Sequence, residues 1–325
     1  KNSRSRNALL SHDGKWVYAF NDASGEMEIW RYAADGSGAA KQLTKDGNTY
    51  RWNLSLSPDG TSLVHDDKNG NVWLLELTSG KNRKILSGYA GLSPVSSISW
   101  STDSQLLAIA GNGLDKNRSQ ITLFDIKQNK TQILTSEKYE SYAPAFSQDG
   151  KWLYFLSNRH FVATPSSPWG DRNMGPAFDR RSQIFALALD KDATFPFQPS
   201  NELMDKPGQD QPQDKKENKD KKADKHSATA ALDWQNADKR LWQVPVPAGN
   251  YQALQAGQDY LYLIDQVSEP GTKPLLKSIA IDPDAKVETF TDAVEEFSLS
   301  SDGKKLLVRK QGNDNGNIFI VDAQQ

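Results

Sequence analysis

The chain is 325 residues long, carries 39 Lys and Arg against 41 Asp and Glu, and contains no cysteine. A net charge of −2 gives no electrostatic reason to bind nucleic acid or an anionic membrane, and the missing cysteines exclude disulfides and thiol chemistry. No apolar run approaches the roughly 18 residues of a membrane-spanning helix, and the amino terminus does not read as a secretion signal. The compartment stays open, cytoplasm or periplasm in a prokaryote.

Taken in chain order, the elements repeat. Two short apolar runs flank the turn SHDG at Ser11–Gly14, and Glu28–Tyr32 and Lys41–Thr44 read as a third and a weaker fourth strand. The turn returns as SPDG at Ser57–Gly60, followed by strands at Val72–Leu77 and Arg83–Leu86. It returns again as STDS at Ser101–Ser104, followed by Ile121–Ile126 and Thr131–Leu134, and as SQDG at Ser147–Gly150. Ser, Pro, Asp and Gly suit the successive positions of a type I turn. Pro fixes φ, Asp bonds the nearby backbone, and Gly tolerates the conformation that leads into the next strand.

The turn aspartates Asp13, Asp59, Asp103 and Asp149 are spaced by 46, 44 and 46 residues. Four antiparallel strands every ~45 residues is the period of a β-propeller blade. Further on, Leu254–Ile264 (LQAGQDYLYLI) is a degraded copy with Gly257 at its turn, and SSDG at Ser300–Gly303 leads to a strand at Ile318–Val321. The reading is all-β: a single propeller domain over residues 1–325, with six recognisable four-stranded blades and six or seven in the intact ring.

The fourth blade is enlarged, spanning about 142–247, with insertions at 157–182 and 190–238. Within the second, Ser200–Ser227 balances Lys against acidic residues with almost nothing apolar, so it is expected to be a solvated, disordered loop. The first insertion is different, with Phe161, Trp169 and Phe178 interleaved with Arg159, Arg172, Arg180 and Arg181. That mixture predicts packing against something. Trp30, Trp73, Trp100 and Trp152 fall on strands, where packing between adjacent sheets explains them.

The four histidines, His12, His65, His160 and His226, sit in no nucleophile-elbow, zinc or phosphate-loop pattern. The Asp-Gly and Asn-Gly pairs lack the spaced carboxylates of a calcium loop and read as turns. No catalytic residue, metal site or cofactor is expected.

Three stretches of the enlarged blade carry a family resemblance: "APAFSQDGKWLYFLSNRHF", "FDRRSQIFALALDKDATFPF" and "VPVPAGNYQAL". Ser157–Arg159, Phe178–Arg181, Ile184–Leu189, Phe195–Phe197 and Pro245–Tyr251 follow the order seen in the second propeller of tricorn-type serine peptidases, which this region resembles over about 110 residues. The remaining blades also resemble generic TolB-like propellers. The tricorn resemblance implies a seven-bladed ring in a longer, multidomain peptidase, with a PDZ-like module and a Ser–His active site elsewhere. On that reading the chain is a piece that filters or guides peptides. Its partners would be unfolded polypeptide, other domains of the same peptidase, and further copies in a homo-oligomer.

Strand order places the candidate contacts. If the innermost strand of each blade runs toward its SPDG-type turn, the 157–182 insertion overhangs the opposite face, together with Arg6, Arg51, Tyr142, Tyr251 and Glu296. These five are the expected peptide-contact residues around the channel. Arg159, Trp169, Phe178, Arg180 and Arg181 are the expected gating or docking residues of the insertion. Two other readings stay open: a TolB- or WD40-like interaction platform, and the gating propeller of a prolyl-oligopeptidase-like enzyme.

Overall fold

The computed structural model describes residues 3–88, 94–112, 118–162, 178–199, 234, 236–266, 271–312 and 316–324. Trp169, Arg172, His226 and the 200–227 stretch lie outside these residues. Within them, the strands form six antiparallel sheets, each built from consecutive strands with no crossover. Blade 1 comprises Ser5–Leu10, Trp16–Asn21, Glu28–Ala33 and Lys41–Gln42, and blade 2 comprises Arg51–Leu56, Ser62–Asp67, Val72–Glu76 and Asn82–Leu86. Blade 3 follows with Val95–Trp100, Leu106–Asn112, Ser119–Asp125 and Lys130–Ile133. Blade 4 contains Ser141–Phe146, Trp152–Asn158, Ser182–Ala188 and Leu241–Gln243. Blade 5 contains Tyr251–Ala256, Tyr260–Asp265, Leu275–Ala280 and Val287–Asp292, and blade 6 has the three strands Val294–Leu299, Lys305–Lys310 and Asn317–Asp322. The molecule is a β-propeller. No helix among the described residues is long and apolar enough to cross a membrane.

The repeated turn is one device used five times. Ser11, Ser57, Ser101, Ser147 and Ser300 each donate from Oγ to the aspartate two residues on, at 2.5–2.6 Å. The same hydroxyls accept the backbone N–H of the residue that opens the next strand. The aspartates in turn accept a backbone N–H two positions further on. The serine hydroxyl holds Asp13 and Asp302 below the usual carboxylate range. Position four needs a left-handed backbone, supplied by glycine in four copies and by Ser104, at φ 60°, in STDS. Ser104 then uses its hydroxyl to accept the Asp59 N–H of the neighbouring blade at 3.0 Å.

Alternation along the strands divides each blade between two junctions. In blade 3, Leu107 and Ile109 pack with Val64, Val72 and Leu74 of blade 2, while Leu106 and Ala108 pack with Phe146, Leu153 and Phe155 of blade 4. Similar clusters join blades 1 and 2, 4 and 5, and 5 and 6. Phe195 and Phe197, which follow the third strand of blade 4, pack at the blade 4–5 junction against Trp152, Tyr154 and Trp242. Among the described residues no such cluster joins blade 6 to blade 1. There Leu10, Ile318 and Ile320 remain 60–72 % exposed.

Candidate functional site

The first strand of each blade lies innermost. First strands of blades 1 and 2, 3 and 4, and 4 and 5 contact one another, and polar side chains stitch inner strands together. Arg6 Nη2 donates to Arg51 O at 2.6 Å, Trp100 Nε1 to Ser55 Oγ at 3.1 Å, and Tyr142 OH to Tyr251 O at 3.0 Å. Four of these strands break register against their neighbour at the same height, between Arg6 and Leu9, Arg51 and Leu54, Tyr142 and Ala145, and Gln252 and Gln255. Asn7, Ala143 and Ala253, within three of these bulges, take φ values of 49–53°. A left-handed backbone at a residue other than glycine costs about 1–2 kcal/mol, and such strain clusters at sites where the chain geometry is used.

Among the described residues, two chambers lie along the inner strands. The one on the turn face has a volume of about 460 Å³ and draws its lining from all six blades, including Ser55, Ser99, Trp100, Pro144, Gln255 and Ser300. None of its lining residues is Asp, Glu, Lys or Arg. The second, about 740 Å³, opens on the opposite face and is lined by blades 3, 4 and 5. Its wall is made of hydroxyls and amides, notably Asn112, Ser119, Asn158, Ser182, Asn250 and Gln252, with Glu140 and Arg181 as its two charged members. Ser97, Ala143 and Ala253 line both chambers. The two spaces therefore adjoin at a waist of small side chains carried on bulged strands.

Tyr142 organises the wider chamber. Its hydroxyl lies 2.6 Å from Ser182 Oγ and 3.2 Å from Asn158 Oδ1, and burial pushes its pKa up. Tyr251 is buried, donates to Pro247 O at 2.7 Å, and is pushed by burial to about 12. The ends of the first insertion frame the mouth. Arg159 sits between the rings of Tyr139 and Phe185, with its guanidinium carbon 5.1 and 4.0 Å from their centroids. Phe161 packs edge-on to Phe178 and stacks on Tyr139, yet Phe161 stays 54 % exposed. Asn250 binds this lip to blade 5 by donating to Asp179 Oδ1 at 2.6 Å and accepting the Arg180 N–H at 3.0 Å.

The sequence candidates separate in the structure. Tyr142, Tyr251 and Arg181 line the wider chamber. Arg51 lies at the blade 1–2 junction, paired with Glu28 and Asp46 and 4 % exposed. Arg6 lies with its guanidinium carbon 3.5 Å from the centre of the Tyr50 ring. Glu296 is an exposed partner of Arg309 on blade 6. Arg180 is 71 % exposed beside Asp179 and is not part of the chamber wall. Sequence reasoning passed over Ser97, Ala143 and Ala253. Each stands four residues before the turn position occupied by Ser101, Ser147 and Gly257, so counting back from the turn would have found them.

None of the described histidines is hydrogen-bonded to a serine hydroxyl. His12 bonds Ser57 O, His65 bonds Asn82 Oδ1, and His160 bonds Arg180 O. Burial lowers His65 to about 3. No group of three or more metal-binding side chains occurs among the described residues.

Residues 1–320 match the family model of the tricorn protease second beta propeller domain. The chain belongs to that family. It is 26 % identical over 317 residues to tricorn protease homolog 1 of Streptomyces coelicolor, covering 92 % of this chain and 28 % of that protein. It is 24 % identical to the tricorn protease of Thermoplasma volcanium, covering 92 % of this chain and 26 % of that protein. The crystal structure of the tricorn protease superimposes on it with a TM-score of 0.78 at 19 % identity, over 98 % of this chain and 29 % of that one. The chain therefore spans under a third of the length of these relatives.

Proposed function

We propose that this tricorn-type propeller is a non-catalytic conduit that admits extended peptide to a peptidase active site elsewhere in the full protein. The pair of adjoining chambers carries this reading. Their shared waist of Ser97, Ala143 and Ala253 suits a main chain with small clearance. The turn-face chamber, with no Asp, Glu, Lys or Arg in its lining, offers no strong ionic site at which a passing peptide would stall. Hydrolysis needs a nucleophile activated by a base, and the described histidines are engaged with backbone carbonyls or an amide instead. The resemblance to tricorn peptidases supplies the reaction class.

The test is a photo-crosslink. A benzophenone amino acid at position 97 is expected to capture a labelled unfolded peptide, whereas one at the exposed Glu288 on blade 5 captures none. Equal capture at both positions would overturn the reading.

The exposed Phe161, Val162 and Phe178 favour a second role for the lip, as the surface on which another domain of the same polypeptide docks. In the intact protein, Phe178→Ala would then alter turnover of long peptides more than of short chromogenic ones. Equal effects on both would exclude it.

A further inference from the structure

The wider chamber contains polar groups that the fold itself does not use. Ser119 is 7 % exposed, and among the described residues its Oγ has no hydrogen-bond partner; the Oγ of Ser97 at the waist is buried and, among the same residues, likewise unpaired. Buried hydroxyls are ordinarily bonded, and a change of χ1 would turn either Oγ, closed off from solvent in its present rotamer, toward the chamber that its residue lines, where a ligand would complete it. Arg181 stands on the same wall, exposed, with no carboxylate paired to its guanidinium among the described residues. Its charge reaches the Tyr142 hydroxyl at the heart of the chamber. The other charged lining residue, Glu140, accepts a bond from Asn158 Nδ2 at 2.8 Å.

We propose that this chamber binds a peptide carboxylate, with Arg181 as its receptor and the Ser97 and Ser119 hydroxyls contacting the adjacent main chain. The inference rests on the conduit reading and assigns it a preference. Guanidinium is suited to carboxylate because its planar fork gives two parallel charge-assisted bonds. Hydroxyls serve main-chain amides of any sequence because each can donate or accept. Arg180 makes no equivalent contribution, because its side chain lies outside the chamber beside Asp179. Glu140 sets the opposite bias and disfavours the same anion. The carboxylate is either the peptide's own terminus or an acidic side chain.

Three Gly-Ser decapeptides labelled with an uncharged BODIPY dye, titrated into the 325-residue chain and followed by anisotropy, test this. One has a free C-terminal acid, one a C-terminal amide, and one an amide with a central Asp. At least one of the carboxylate-bearing peptides is expected to bind about fivefold more tightly than the plain amide. Whichever of them binds more tightly identifies the source of the carboxylate. Arg181→Gln should abolish that difference, Arg180→Gln should leave it intact, and Glu140→Gln should widen it. Equal affinity for all three peptides, or discrimination that survives Arg181→Gln, would overturn the proposal while leaving the conduit standing. Failure of every peptide to bind would instead remove the conduit itself.

Discussion

Arg51 reaches Glu28 across the junction of the first two blades, Nη2 to Oε2 at 3.3 Å, with the two side chains only 5 and 4 % exposed. Asp46 accepts from the same guanidinium at 2.9 Å, and Glu28 also accepts the Thr44 hydroxyl and the Gly47 N–H. Removing one member of a buried pair leaves an uncompensated charge. Arg51→Met should therefore cost about 3–5 kcal/mol in urea denaturation, and adding Glu28→Gln should recover part of it. A loss near zero would mean that Arg51 is a solvated rim residue.

A second prediction concerns pH. Asp66 is fully buried between blades 2 and 3. Its Oδ1 accepts the Asn53 N–H at 2.8 Å, its Oδ2 has no partner, and burial raises its pKa to about 6. Between about pH 4 and 6 the folded chain holds this proton more tightly than the unfolded one, so the contribution of Asp66 to stability falls as pH rises through that window. Asp66→Asn should then stabilise by about 1–3 kcal/mol at pH 8 and by little at pH 4. His65, lowered to about 3 by burial, acts in the opposite sense, its contribution rising with pH from about 3 to 6.5. Thermal melts of the Asn variant at the two pH values separate these contributions.

Two serines give a contrast that needs no ligand. Ser147 Oγ donates to Asp149 at 2.5 Å and accepts the Trp152 N–H at 2.9 Å, whereas the Ser97 Oγ makes no bond among the described residues. Ser147→Ala should lower stability by about 1–2 kcal/mol. Ser97→Ala should stay within about 0.5 kcal/mol of the parent. Chemical denaturation of both variants side by side checks this.

The ring was legible because its turn chemistry is local and periodic. Ser, Asp and Gly at fixed offsets write the hairpin into the chain, and even STDS keeps its geometry by placing Ser104 at positive φ. The resemblance in blade 4 was legible for a different reason, since Ser157–Arg159 and Pro245–Tyr251 are unusual strings and not generic turn residues. The chamber walls were harder to read. Arg6 and Arg51 look like rim residues because charge at the start of an inner strand suggests solvent. A bulge follows each of them, and alternation alone carries no signal for a bulge. Ion pairing across a junction is equally silent in sequence, because Glu28 and Arg51 are distant in the chain and lie in different blades. The unsatisfied hydroxyls of Ser97 and Ser119 are properties of packing, and a serine in a strand gives no hint of them.

The conduit is tested most directly at Ser97, which lines both chambers with its side chain only partly exposed. Ser97→Trp places a large ring in the waist without demanding a left-handed backbone, unlike the same change at Ala143 or Ala253. The measurement is the affinity of the uncharged, amidated decapeptide for parent and variant, with circular dichroism confirming the fold of each. The account predicts that affinity falls by about tenfold or more, since the ring removes the space where a main chain would lie. Unchanged affinity in a correctly folded Ser97→Trp variant would contradict it.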